Sequence, residues 1–360
     1  MPHKPPSAEA GRGPRPGLGW AARLEALLQH HWWRPQTTAL MHSLRPLAAL
    51  VQRLARWQRP TPQTLPVPVV VVGNLIAGGA GKTPTVMALV AWLQRQGWHP
   101  GVVSRGHGRQ GADTLEVRPN SPVQQVGDEP LLLRRRSGVP VFVGRQRVAA
   151  AQALLRAHPD VDILVSDDGL QHHALPRQAE LLVFDERGTG NGRLLPAGPL
   201  RQALPAQLAA HQWVLYNAAA PSTALPGHLA SRRLALAWPL AAWHQGDSTQ
   251  ARPLAALPSR RWLATAGIAA PERFFSMLEA AGLQIDRLPL PDHHALDQHD
   301  LPWPAGTPVL VTEKDATKLA VDRPGTEGVW VLPLDFGLPD ALCAGLTTCL
   351  GPAPAHRPGH

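Results

Sequence analysis

The chain has 360 residues, 44% hydrophobic and 17% charged, which excludes extensive disorder and points to two domains or one large α/β domain. No run of about 18 apolar residues occurs, residues 1–20 lack the apolar centre of a secretory signal, and Cys343 and Cys349 alone make neither a disulfide framework nor a zinc site, so a reducing, cytosolic setting is expected. Most of the net charge of +9 sits at the front, where Lys4, Arg12, Arg15, Arg23, Arg34, Arg45, Arg53, Arg56 and Arg59 face only Glu9 and Glu25, nine against two for a local balance of +7; this favours an anionic membrane surface over nucleic acid as partner.

Residues 1–18, rich in Pro, Gly and charge, read as a flexible tail. Residues 19–60 form the next segment, where apolar residues recur at helical spacing. Leu24, Leu27, Leu28 and His31 share one face; after a break at Pro35, Leu40, Leu44, Leu47, Val51 and Leu54 share another, with Pro46 expected to kink the second helix. Arginines opposite Leu and Trp suit helices lying in a lipid interface, and equally suit amphipathic helices packed on their own domain.

Residues 61–210 alternate strands and helices. Val67–Val72 is an apolar β-branched run, as in a buried parallel strand, followed by a helix over Thr83–Gln96. Strands are expected at Val102–Ser104, Val139–Val143, Val161–Ser166 and Leu181–Asp185, with helices at Glu129–Arg136 and Gln146–Ala157. Residues 186–210, rich in Gly, Pro and Arg, interrupt the alternation as a functional loop or crossover. A weaker series over 211–345 has strands at Trp213–Tyr216, Trp262–Ala266, Val309–Thr312 and Val329–Leu332 and a helix at Pro271–Ala281; 346–360 is a second tail. The fold class is therefore α/β: a P-loop-type parallel sheet core, a smaller second α/β domain and N-terminal amphipathic helices.

The strongest motif is Ile76, Ala77, Gly78, Gly79, Ala80, Gly81, Lys82, Thr83 between a strand and a helix. Glycines let backbone N–H groups approach phosphate oxygens at a helix N-terminus, Lys82 reaches the β- and γ-phosphates, and Thr83 holds Mg²⁺. Ile76 stands where the strict pattern has its first glycine. Asp167 and Asp168 end a buried strand beside that loop, where a nucleotide-bound Mg²⁺ would sit, with Gln171 and His172 next on the rim. Asp128 is either the N-cap of the following helix or a base near the γ-phosphate, and Glu129 beside it is a further candidate metal ligand. Arg105, His107 and Arg109 form a Gly-rich, phosphate-suited loop. Only four of the 35 basic residues are lysines: Lys4, Lys82, Lys314 and Lys318. In so arginine-biased a chain, the internal ones mark places that need a compact ammonium; Lys314 and Lys318 lie in a segment, Thr312 to Lys318, that also resembles a capped helix start.

Taken in order, these residues closely resemble the tetraacyldisaccharide 4′-kinases of lipid A biosynthesis, from about Trp20 to beyond Leu332. The likeness rests on Val72-Gly-Asn-Leu, Gly78-Gly-Ala-Gly-Lys-Thr-Pro, Ser104-Arg-Gly-His-Gly-Arg, Gly127-Asp-Glu-Pro-Leu, Asp167-Asp-Gly-Leu-Gln-His, Leu195-Pro-Ala-Gly-Pro-Leu-Arg, Gly267-Ile-Ala-Ala-Pro-Glu-Arg-Phe-Phe, Asp292-His-His and Thr312-Glu-Lys-Asp. It implies transfer of the γ-phosphate of ATP, with Mg²⁺, to the 4′-hydroxyl of an acylated glucosamine disaccharide 1-phosphate, on the cytoplasmic face of the inner membrane and without an obligate protein partner. By the same resemblance Asp128 matches the catalytic base, His293 its partner, Lys82 and Thr83 the P-loop contacts, Asp167 and Asp168 the acidic pair near metal and substrate, and Arg201 a substrate contact. His107 stands where the family usually has tyrosine, Leu170 where it has phenylalanine, and Ile76 where it has a small hydroxyl residue. The rival reading is a membrane-bound ATPase switch of the division-positioning or partitioning kind, which normally carries a lysine where this chain has Ala77; a soluble small-molecule kinase would leave the N-terminal helices unexplained.

Overall fold

The computed structural model describes residues 20–34, 37–57, 60–292, 294–297 and 300–354. The expected N-terminal tail at 1–18 lies outside them. The chain divides into two compact units, one made of Met1–Gln58 with Arg187–Leu204, the other of Arg59–Glu186 with Pro205–His360.

In the first unit, α1 spans Trp20–Trp32, α2 Ala39–Ser43 and α3 Arg45–Trp57. Pro46 does not kink a helix. The chain breaks at Leu44 instead, and Pro46 falls in the first turn of α3, where its missing N–H would have had no helical acceptor. Leu47, Leu50, Val51, Leu54 and Trp57 of α3 are exposed, Trp57 at 89%. The Gly/Pro/Arg-rich segment is strapped to the helices by hydrogen bonds. Asn191 N–H donates to the Trp32 carbonyl (2.8 Å), Trp32 Nε1 to the Pro196 carbonyl (2.9 Å) and Gln52 Nε2 to the Arg201 carbonyl (2.9 Å). The Arg187 guanidinium lies 4.4 Å from the centre of the Trp33 ring. Among the described residues no helix is long and apolar enough to cross a membrane.

The second unit holds two sheets. The first is built from β1 (Val69–Gly73), α4 (Lys82–Arg95), β2 (Pro100–Ser104), β3 (Leu115–Val117), α5 (Val123–Val126), α6 (Asp128–Ser137), β4 (Val141–Val143), α7 (Arg147–Ala157), β5 (Ile163–Asp167), β6 (Ala179–Asp185), β7 (Gln212–Asn217) and β8 (His228–Leu229). Its strand order is β3-β4-β2-β5-β1-β6-β7-β8, parallel except for the β3–β4 pair. β1 and β5 are buried on every residue, as their unbroken apolar runs require in a sheet covered on both faces.

The second sheet follows with β9 (Ser231–Leu234), β10 (Leu236–Pro239), α8 (Leu240–Gln245), β11 (Arg252–Pro253), β12 (Arg261–Ala266), α9 (Pro271–Ala280), β13 (Gln284–Pro289), β14 (Val309–Thr312), α10 (Glu313–Ala316), β15 (Val329–Leu332), β16 (Leu334–Gly337) and α11 (Asp340–Leu350). Six strands run in the order β11-β10-β15-β14-β12-β13, and β9 pairs separately with β16.

Two details differ from the sequence reading. β7, expected to open the second series, pairs in parallel with β6 and extends the first sheet. The tail expected from residue 346 begins after Leu350, because Leu342 and Leu346, one turn apart, bury α11 in the first sheet's core. Leu132 of α6 packs with Leu240, Trp243, Leu296, Val309, Val329 and Val331, so one apolar cluster spans both sheets.

Candidate active site

The loop after β1 turns at the carboxyl end of the parallel sheet, the edge where α/β folds collect ligands. Gly81 there has φ +86°, and a Cβ on it would stand 1.9 Å from Asn217 Nδ2, so the position admits only glycine. Asn217 Nδ2 in turn donates to the Ala80 carbonyl (3.2 Å), and Asn74 Nδ2 to the Gly78 carbonyl (2.9 Å), which pins the loop on both sides. Lys82 opens α4; its Nζ donates to Asn74 Oδ1 (3.3 Å) and lies 3.6 Å from Asp168 Oδ1.

Register fixes the acidic pair, since Val72 of β1 lies beside Asp167 at the end of β5. Ser104 Oγ donates to Asp167 Oδ2 (2.9 Å), while Asp167 Oδ1 is buried without a hydrogen-bond partner. Burial, then the charges of Glu129 and Asp168, push the Asp167 carboxyl up to about 6. Asp168 is the one described non-glycine residue with positive φ, at 51°, a strained backbone of the kind kept at working sites.

Asp128 is not the N-cap expected of it. Gly127, with φ 90°, takes that place and Asp128 is the first helical residue of α6, its Oδ1 accepting from the Glu129 N–H (2.9 Å). Its Oδ2 lies 3.2 Å from Lys318 Nζ and 4.0 Å from Lys314 Nζ. Lys314 Nζ also donates to Glu129 Oε1 (3.3 Å) and Asp292 Oδ1 (3.0 Å). Burial alone would lower the Lys314 pKa; Glu129, Asp128 and Asp292 outweigh it and raise the pKa above the ordinary lysine value.

A cleft of about 240 Å³ is lined by Gly79, Gly81, Lys82 and Thr83 on the loop side, by Glu129, Asp292 and Lys314 opposite, and by Ile268, Phe274 and Met277 along an apolar wall. Its polar end is therefore suited to phosphates and its apolar wall to a flat ring.

Of the residues singled out by sequence, the structure brings Gly79, Gly81, Lys82, Thr83 and Glu129 to this cleft. Ile76 is fully buried in the core and Ala80 buried under the loop, while Ala77 and Gly78 shape the turn without lining it. Gln171 Nε2 donates to the Asn74 carbonyl (3.5 Å) and His172 is half-buried. His172 is pushed down to about 4 by burial and then by Arg147. Arg105 and His107 are exposed, and Arg109 is half-buried with Nη2 donating to the Asp113 carbonyl. Arg201 belongs to the other unit, and His293 lies outside the described residues.

Sequence reasoning gave no role to Asn74, Asn217 or Arg147. Arg147 is 2% exposed; Nη1 donates to the Gly144 carbonyl (2.5 Å), while Nε and Nη2 have no hydrogen-bond partner. Burial, partly opposed by Asp167 and Asp168, lowers its pKa to about 10. Nothing in the local pattern around Arg147 separates it from the chain's many surface arginines. The scarcity of lysine, by contrast, did mark Lys314 and Lys318.

A family model described as "LpxK: Tetraacyldisaccharide-1-P 4'-kinase" matches residues 40–350. The tetraacyldisaccharide 4'-kinase of Methylibium petroleiphilum is 54% identical over 98% of this chain and 100% of its own length. That of Leptothrix cholodnii is 52% identical over 94% of this chain and 99% of its own. Among solved structures, the chain is similar to "apo" form LpxK from Aquifex aeolicus in complex with ATP, with a TM-score of 0.70 and 25% identity over 86% of this chain and 99% of that one. A match running through both sheets, with a phosphate-ready cleft at the edge where it should lie, leaves one conclusion: the chain belongs to the tetraacyldisaccharide-1-P 4'-kinase family.

Proposed function

We propose that the cleft at Lys82 holds ATP and that Asp128 receives the proton of the acceptor's 4′-hydroxyl as the γ-phosphoryl group leaves ADP. The overall reaction follows from the family: ATP-dependent 4′-phosphorylation of tetraacyldisaccharide 1-phosphate, a step of lipid A biosynthesis. The observation carrying the assignment of residues is the meeting of Lys82, first residue of α4, with Asp168, which follows β5, at 3.6 Å.

Phosphoryl transfer needs mostly positioning and charge stabilisation. The loop N–H groups and Lys82 hold the β- and γ-phosphates, and the wall at Ile268, Phe274 and Met277 takes the base. Asp128, fixed through Oδ1 to its own helix, aims the acceptor hydroxyl and takes its proton as the phosphoryl group moves. Thr83, Asp167, Asp168 and Glu129 carry oxygen donors of the kind Mg²⁺ takes, although they are not gathered into a ready-made metal cluster among the described residues, and the orphaned Asp167 Oδ1 fits such a cation. Bound there, Mg²⁺ would neutralise phosphate charge. His293 is assigned as partner of Asp128 by resemblance. Arg105, His107, Arg109, Gln171 and His172 form the rim assigned to the acceptor, and Arg201 is assigned to the acceptor by resemblance alone. The exposed apolar face of α3 supports attachment to the inner membrane from its cytoplasmic side.

The test is incubation with γ-labelled ATP, Mg²⁺ and an acylated disaccharide 1-phosphate. Label should appear in a bis-phosphorylated lipid. ATP hydrolysis that proceeds identically with or without the glycolipid rules the reading out.

A further inference from the structure

Lys314 and Lys318 stand four residues apart, one helical turn, so their side chains leave α10 and its C-terminal turn on one face. That turn is held rigidly. Thr312 Oγ1 accepts from the Asp315 N–H (3.3 Å) and donates to Asp315 Oδ2 (2.6 Å), and fully buried Asp315 accepts from the Gly267 N–H with both oxygens (3.1 and 3.0 Å). The two lysines therefore project from the second sheet in a fixed direction, toward Asp128 and Glu129 of the first.

Their surroundings differ. Lys318, with its side chain 3% exposed, pairs with Asp128 at 3.2 Å. Lys314 sits among three carboxylates and lines the ATP cleft opposite Lys82 and Thr83. A cation at the mouth of a phosphate site, on a flexible four-carbon stem, has a stronger acceptor to turn to once a γ-phosphate arrives.

Resting on the assignment of the cleft to ATP, we infer that Lys314 is a second phosphate-binding cation of the reaction. Its ammonium exchanges Glu129 and Asp292 for the γ-phosphoryl oxygens, on the side away from Lys82, and Lys318 keeps Asp128 in position meanwhile. The β–γ bridging P–O bond then breaks, leaving its electron pair on ADP. The bond from phosphorus to the acceptor's 4′ oxygen forms, and the hydroxyl proton goes to Asp128. Lys314 stays protonated throughout and supplies charge where the transferring group passes. The exchange also frees Glu129, so the carboxylates that neutralise Lys314 before ATP binds become available to the rest of the site. Lys318 is a positioning residue.

The experiment compares binding of ADP and of β,γ-methylene ATP, both with Mg²⁺, in the full chain and in Lys314→Met, Lys314→Arg and Lys318→Met, beside turnover on the glycolipid. Lys314→Met should bind ADP within about 3-fold of the parent, bind the methylene analogue ~10-fold more weakly, and turn over ~10²-fold more slowly or worse at saturating ATP. Lys314→Arg should recover most of the analogue's affinity, since it keeps the charge. Lys318→Met should lower turnover while leaving KM for ATP and both affinities in place. Equal weakening of ADP and analogue in Lys314→Met, or no weakening of the analogue, overturns the inference. A parent chain that fails to label the glycolipid overturns the assignment of the cleft; a parent that succeeds alongside an unimpaired Lys314→Met overturns only the role of Lys314.

Discussion

As assigned in the proposed reaction, Asp128 takes the acceptor's proton and Lys82 holds the phosphates, so their removal should read out differently. Asp128→Asn keeps the shape and the contact to its own helix but cannot take a proton; turnover should fall ~10²–10⁴-fold with KM for ATP little changed. Lys82→Ala should cost at least as much turnover and also raise KM for ATP, because the same ammonium holds the ground-state phosphates. Steady-state kinetics at varied ATP separates the two, and a Lys82→Ala enzyme of normal turnover would contradict the loop's role. Asp167 presents a different balance. Burial, Glu129 and Asp168 hold its carboxyl near 6, so between about pH 4 and 6 the folded chain retains a proton that the unfolded chain has released. Stability falls as pH rises through that window, and the ionised group costs up to ~3 kcal/mol at neutral pH without a cation. His172, lowered by burial and then by Arg147 to about 4, works the other way: its contribution is present above about pH 6.5 and is lost as pH falls toward 4. Asp167→Asn removes the first slope and exposes the second. Without divalent cations this variant should melt higher than the parent at pH 7, lose stability from pH 6.5 down to 4, and turn over poorly; a lower melting point at pH 7 contradicts the account. The glycines and carboxylates of this site were legible in sequence because their chemistry is tied to spacing. Arg147 and Asn217 were not, since their roles come from burial beside residues distant in the chain.

At the scale of elements, α3 makes the sharpest claim. Leu50, Leu54 and Trp57 are exposed on a helix that carries Arg45 on its other face and Arg53 at the edge of the apolar one, an arrangement suited to the boundary of anionic lipid. Leu50→Glu with Leu54→Glu should weaken binding to phosphatidylglycerol vesicles ~10-fold or more, since each change replaces apolar area with charge. Turnover on a short-chain, micelle-free acceptor should persist. Vesicle sedimentation beside the soluble assay measures both, and undiminished sedimentation would assign the face to protein packing. Periodicity located β1, β2, β4, β5, β6 and β7 within a few residues, because buried parallel strands are unbroken apolar runs, but it joined α2 and α3 into one kinked helix and passed over the three-residue β3. It missed β13, where only Ile285 and Leu288 are half-buried and Asp286 and Arg287 stand exposed between them, and β8 and β11, which have two residues each. Such strands exist by pairing with neighbours, and pairing leaves no local pattern.

The sequence reading divides the second unit at residue 210 into two domains, and the packing bears on whether they behave as two. The cluster around Leu132 joins α6 to β14 and β15, Arg136 Nε lies 3.1 Å from buried Glu313 Oε1, and Lys318 reaches Asp128. Leu342 and Leu346, last in the chain, return to the first core. A boundary crossed by an apolar cluster, the buried Lys318–Asp128 pair, a second pair with buried Glu313 and a returning helix exposes much of both cores when it opens, so the two sheets should unfold as one cooperative unit. Nucleotide binding then stabilises both sheets alike, by ~2.7 kcal/mol at 100-fold excess over Kd. Hydrogen exchange followed by mass spectrometry resolves the sheets separately. Amides of β1 and β5 should slow with ADP by the same factor as those along the whole of β12 and β14, beyond the turn at Ile268 that meets the base. Protection confined to β1 and β5, with β12 and β14 opening at their ADP-free rate, would mean that the sheets are separate domains and that the contacts through Leu132 and Glu313 do not couple them.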